Sequence, residues 1–172
     1  MIAPSGIYLY KLCDAVSQGR PIRILETGCL RNPDPSSLIT DGWSTFYFAE
    51  WVKAHPGSAF DTVELDPKNV EICRNFLKEH DLDKYATVWQ SDSLEFLNTW
   101  EPPVDVFFLD SCDGLEHGLE EFKLALYFRP CTIIMDDYES KVKLADEYAR
   151  SIGITSQRMD RYTVFQVPQI PR

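Results

Sequence analysis

The sequence predicts a doubly wound, Rossmann-like α/β sheet of seven strands, five parallel and two in a C-terminal antiparallel hairpin, with helices on both faces. Three observations predict it. Short apolar runs alternate with helix-period segments from residue 22 onward, the pattern of βαβ units and a parallel sheet. The last two apolar runs are separated only by Asp160-Arg161, and a two-residue connection permits only an antiparallel hairpin. A chain of 172 residues also suits one domain with a sizeable core.

The elements follow in order. Residues 1–20 form an N-terminal helical segment, and "IRILET" (22–27) is the first strand. "CLRNPDPSSLITD" (29–41) then reads as a loop insertion before "GWST" (42–45), where Trp43, Phe46, Tyr47 and Phe48 open a helix. "FDTVEL" (60–65) is the second strand. The helix after it has Asp66 as N-cap, Pro67 at its first position and Val70, Cys73 and Leu77 on one face, as capping and helical periodicity require. "YATVWQ" (85–90) is the third strand, followed by a short helix in "SDSLEFLNTW". "VDVFFLD" (104–110) is the fourth; Leu115, Leu119, Phe122 and Leu126 then recur at helical spacing with acids opposite. "TIIMD" (132–136) is the fifth, and "SKVKLADEYARSIG" is helical. "ITSQRM" (154–159) and "YTVFQV" (162–167) make the hairpin. No repeat or linker interrupts the chain, so residues 1–172 read as a single domain.

Composition excludes several functions. The formal net charge is −10 and the pI about 4.7, which argues against a nucleic-acid partner, because phosphate backbones need clustered Lys and Arg. Cys13, Cys29, Cys73, Cys112 and Cys131 are odd in number and include no CxxC pair. That is poor for a disulfide framework or a zinc site and suits a reducing compartment. No apolar run approaches the ~18 residues of a membrane span, and no signal peptide is visible. The expectation is a cytoplasmic protein with no membrane partner.

Ligands of such sheets bind beyond the carboxyl ends of the strands, near the topological switch point. There the chain places Glu26-Thr27-Gly28, Glu64 to Asp66, Asp92-Ser93, Asp110 to Asp113 and Asp136-Asp137. Every parallel strand therefore ends in acid. The dinucleotide fingerprint GxGxxG and the Walker A pattern are both absent, and carboxylates would repel a phosphate-rich ligand. NAD and ATP are thus poor candidates. S-adenosylmethionine suits the acids, since its sulfonium and ammonium are cationic and its ribose diol can donate two hydrogen bonds to one carboxylate. Glu64 stands where a ribose-reading acid is expected.

These residues resemble those of class I S-adenosylmethionine-dependent methyltransferases over about residues 20 to 168. "ILETG" is similar to the first motif of that family, which implies that Glu26 and Gly28 line the methionine end of the cofactor, next to Ser44 of "GWST". "TVELDP" resembles the second, with Glu64 on the ribose, and "QSDSLEFL" the stretch in which Asp92 and Ser93 meet the adenine. "VFFLDSCDGLEHGLEEFKLAL" followed by "CTIIMDDY" resembles the narrower catechol and macrocin O-methyltransferase group. That likeness implies a divalent metal, usually Mg²⁺, on Asp110, Asp136 and Asp137, with Asp110 also near the cofactor. It implies Asp113 or His117 as the acceptor-side base. The alternatives are that Asp137 caps a helix, Asp136 is a solvated strand end and His117 is a surface residue.

The implied activity is metal-assisted O-methylation of a small-molecule hydroxyl, a sugar hydroxyl or vicinal diol being the family's acceptors. The acceptor site would then come from the 29–41 loop, the 111–118 loop or a neighbouring subunit of a homo-oligomer. Two rival readings stand beside it: a non-catalytic binding or assembly module on the same fold, and a metal-independent N- or C-methyltransferase using His117 or Asp113.

Overall fold

Ile24 and Leu25 are fully buried on opposite sides of β1 (Arg23–Thr27), the strand around which the rest of the sheet is laid. The structure is a computed structural model and describes residues 4–38 and 43–168. β2 (Ala59–Glu64), β3 (Thr87–Gln90), β4 (Val106–Leu109), β5 (Thr132–Met135), β6 (Thr155–Met159) and β7 (Tyr162–Gln166) complete one sheet in the order β3-β2-β1-β4-β5-β7-β6. The first five strands pair in parallel, and β7 is antiparallel to both β5 and β6. This is the arrangement expected from the sequence. Strand order reverses between β1 and β4, which makes the carboxyl ends of these two strands the switch point.

Among the described residues, six α-helices flank the sheet: α1 (Pro4–Ser17), α2 (Ser44–Ala54), α3 (Pro67–Glu79), α4 (Ser93–Thr99), α5 (Leu115–Tyr127) and α6 (Lys143–Ser151). Successive strand residues point to opposite faces, so each strand feeds two apolar layers. Ile24, Phe60 and Phe108 pack with Leu9 of α1, Phe48 and Trp51 of α2 and Phe76 of α3. Leu25, Phe107 and Ile133 pack with Leu97 of α4, Phe122 of α5 and Ala145 of α6. Burial on both faces explains why β4 and β5 read as unbroken apolar runs.

Two local features differ from the expectation of plain helices and loops. After β5 the chain makes a π-helical turn, Tyr138–Val142, before α6 begins. This turn lies so close to α5 that a Cβ on Gly118 would stand 2.4 Å from the carbonyl oxygen of Lys141. A 3₁₀ turn, Pro35–Leu38, orders part of the loop after β1. Residues 39–41 of that loop, Gly42, and residues 1–3 of the N-terminal segment lie outside the described residues. Among the described residues, no helix is long and apolar enough to cross a membrane.

Candidate active site

Gly28 closes β1 with φ +81°, a left-handed conformation that glycine adopts without penalty. Its N–H donates to the carbonyl of Val63 at 2.8 Å. A Cβ here would lie 2.2 Å from the carbonyl oxygen of Asp110, so only glycine lets the ends of β1 and β4 approach. The resulting groove has two lobes that share Gly28, Glu64 and Ser111. The tight lobe is lined by Cys29, Arg31, Trp43, Ser44 and Asp110. The wider lobe, about 340 Å³, is lined by Asp66, Asp92, Ser93, Cys112 and His117.

Glu26 lies beneath the tight lobe and is completely buried. Its two carboxylate oxygens accept hydrogen bonds from Ser44 Oγ at 2.6 Å and Thr45 Oγ1 at 2.7 Å. Thr45 Oγ1 in turn accepts from the Leu30 N–H at 2.9 Å. The acid thus ties the start of α2 and the loop after β1 to the sheet, and Ser44 is the residue that reaches the groove. Burial pushes the Glu26 carboxyl up to about 7, partly offset by the hydroxyl bonds.

Glu64 is half-buried between the lobes. The Asp66 N–H donates to its Oε1 at 2.9 Å and the Cys29 N–H to its Oε2 at 3.4 Å, so two amides aim the carboxylate. The helix cap next to it is supplied by Asp66, which accepts from the Lys68 N–H at 2.8 Å. Asp92 caps α4 by accepting from the Leu94 and Glu95 N–H groups at 2.9 and 3.1 Å. Ser93 Oγ stands 3.1 Å from His117 Nε2, which is 3.4 Å from Oε1 of the buried Glu121. That carboxylate raises the imidazole pKa.

His117 therefore joins Asp92 and Ser93 in the wide lobe, whereas the Asp113 carboxylate lies 3.6 Å from the Lys141 ammonium. Of the two acceptor-side bases the resemblance allows, Asp113 shares the Lys141 ammonium with Asp110, and His117 contacts Ser93 and Glu121. Ser111 was not singled out in the sequence, yet it lines both lobes and its hydroxyl is buried without a hydrogen-bond partner. A buried hydroxyl without a partner calls for a ligand or water at the junction of the two lobes.

The expected metal ligands are arranged differently from a metal site. Asp110 is ion-paired with the Lys141 ammonium, and burial still raises its carboxyl to about 6. Asp136 is gripped by Arg161, whose Nε donates to Oδ1 at 2.7 Å and whose Nη2 pairs with Oδ2. The Asp137 N–H donates to Asp136 Oδ1 at 2.8 Å, and the Asp137 carboxylate is 3.7 Å from Arg161 Nη2. Asp137 has φ +53°, a left-handed conformation that short polar residues tolerate. Among the described residues, no group of three or more His, Cys, Asp or Glu could hold a metal ion. The carboxylate set expected to bind Mg²⁺ does not fit the ion, because Lys141 and Arg161 already occupy it.

Comparisons with known proteins agree with this fold. A family model described as a methyltransferase domain matches residues 39–138. No curated protein matches the chain. An O-methyltransferase from Bacillus cereus, solved in complex with SAH, aligns with a TM-score of 0.74 at 20% identity, over 98% of this chain and 83% of that one. The O-methyltransferase TomG from Streptomyces achromogenes, involved in tomaymycin synthesis and solved with SAM, aligns with a TM-score of 0.74 at 20% identity, over 98% of this chain and 82% of that one. At such identities the likeness is one of fold. The family match is wider in meaning, since it runs across Glu64, Asp92, Asp110 and the doubled aspartate after β5 and spans more than half of the sequence; the chain belongs to the methyltransferase-domain family.

Proposed function

We propose that this methyltransferase transfers the methyl group of S-adenosylmethionine to the hydroxyl of a small-molecule acceptor. The observation that carries the reading is the aimed carboxylate of Glu64 between a tight acidic lobe and an open lobe of about 340 Å³. S-adenosylmethionine supplies a methyl group activated by a cationic sulfur. Glu64 accepts the ribose hydroxyls, and Asp92, Ser93 and His117 border the base. Ser44, backed by Glu26, faces the amino-acid end, where buried negative charge favours an ammonium. Asp110 and Asp113 lie on the acceptor side. Asp113, 76% exposed, takes the hydroxyl proton as the oxygen–carbon bond forms. Much of the rate then comes from holding oxygen, methyl carbon and sulfur in line. The metal-assisted form implied by the resemblance needs free carboxylates, and the ion pairs of Lys141 and Arg161 favour the form without metal.

Calorimetric titration with S-adenosylmethionine tests the reading. The wild type binds, and Glu64→Gln weakens binding about 10–100-fold, because neutral hydrogen bonds replace charge-assisted ones. Absence of binding to the wild type at millimolar cofactor would sink the enzyme reading and favour the non-catalytic module.

A further inference from the structure

We infer that Lys141 and Arg161 are built-in replacements for a divalent cation among the acids that follow β4 and β5. The inference rests on the methyltransferase reading and adds to it how the acceptor side is charged.

Both cations are placed by the fold. Lys141 sits in the π-helical turn that presses onto α5, where the missing side chain of Gly118 makes room for the Lys141 carbonyl. Its own side chain is only 8% exposed and reaches both Asp110 and, at 3.6 Å, Asp113. Arg161 is placed by register. Met135 pairs with Thr163 across antiparallel β5 and β7, so the hairpin residue Arg161 falls beside the acids that follow β5. Its guanidinium meets Asp136 in a two-point grip, the geometry in which arginine binds a carboxylate best.

A hard divalent ion needs several free oxygen ligands. Here it would have to expel a buried ammonium from Asp110 and sit beside a second cation at Asp136. Expelling one partner of a buried pair leaves an uncompensated charge, which is strongly unfavourable. The cluster nonetheless keeps an excess of acid: Asp110, Asp113, Asp136 and Asp137 face two cations, and Asp113 and Asp137 remain largely exposed. The surplus suits an incoming sulfonium.

Asp110 lines the tight lobe, which puts its partner Lys141 one contact from the methyl-transfer groove. In the step itself the oxygen–carbon bond forms and the carbon–sulfur bond breaks. The electron pair goes to sulfur, leaving a neutral thioether, and the hydroxyl proton leaves to Asp113. Chelation is the advantage that a vicinal diol gains from a metal, and a lone ammonium offers none.

The test is a calorimetric titration of the full chain with Mg²⁺ alone, with S-adenosylmethionine alone and with both. The expected result is no saturable Mg²⁺ binding at millimolar concentration and a cofactor affinity that chelator changes by less than about twofold. Lys141→Gln is expected to keep cofactor affinity and to gain Mg²⁺ binding through the freed Asp110. Saturable Mg²⁺ binding to the wild type that disappears in Asp137→Asn would overturn the inference. So would methylation of catechol, used as a probe, that requires Mg²⁺. If Lys141→Gln does not fold, the wild-type titration decides alone. Loss of cofactor binding in every condition would instead refute the methyltransferase reading, so the two failures are distinguishable.

Discussion

Glu26→Gln should make the protein more stable at alkaline pH and worse at holding its cofactor. Glu26 is fully buried and faces two hydroxyls, with no cation among its hydrogen-bond partners. Its folded-state pKa of about 7 lies above the ordinary 4.5, so the folded chain binds this proton more tightly than the unfolded chain. The stability it contributes is complete below about pH 4.5 and is lost as pH rises through about 7. At about 1.4 kcal/mol per pKa unit, the ionised acid costs the fold about 3 kcal/mol at alkaline pH. Glutamine has the same shape and no charge. Its carbonyl can accept from Ser44 and its amide can donate to Thr45, since hydroxyls rotate to suit. Urea unfolding of both proteins at several pH values between about 5 and about 8 measures the difference. The variant should gain on the wild type progressively across that range, reaching a few kcal/mol, while its affinity for S-adenosylmethionine falls, an exchange of function for stability. A stability difference that does not change with pH would refute the reasoning, because it would mean that Glu26 does not titrate differently in the fold.

Two further outcomes follow from the groove. Gly28→Ala combines a left-handed residue with a Cβ 2.2 Å from the Asp110 carbonyl oxygen. It should cost about 2–5 kcal/mol in denaturant unfolding and abolish cofactor binding, whereas unchanged stability would mean that the ends of β1 and β4 are not in contact. Cys112 is the exposed cysteine and lines the wide lobe, while Cys13 and Cys73 are buried and Cys29 and Cys131 partly so. Burial raises its thiol pKa, so alkylation followed by mass spectrometry is best done at mildly alkaline pH. Cys112 should react first, and saturating S-adenosylmethionine should protect it; equal rates with and without cofactor would remove the adenosine from that lobe.

Much of this was legible in the chain itself. Alternating apolar runs specify a parallel sheet because βαβ connections bury both strand faces, and the Asp160-Arg161 turn leaves the closing strands no other pairing mode. The position of Glu64 at a strand end, with Asp66 and Pro67 already supplying the helix start, marked it as an acid free for another task; the structure gives it two orienting amides. Local chemistry was enough for these features, because capping, periodicity and strand termini act within a few residues.

Charge pairing was not legible. Sequence alone presents Asp110, Asp136 and Asp137 as a set of acids in want of a cation, and it cannot say that Lys141 and Arg161, 31 and 25 residues distant, fill that want. Arg161 reaches Asp136 only because the hairpin joins the sheet next to β5 in one particular register. Lys141 reaches Asp110 only because a π-helical turn fits against Gly118. In the same way His117, close to Asp113 in sequence, is drawn to Ser93 and Glu121 by the turn of α5. The sequence alone determined the fold class and the acidic strand ends, since these depend on local pattern. Which acids stay free for a ligand and which are neutralised from within was decided by the tertiary structure, because ion pairs form between side chains that only packing brings together.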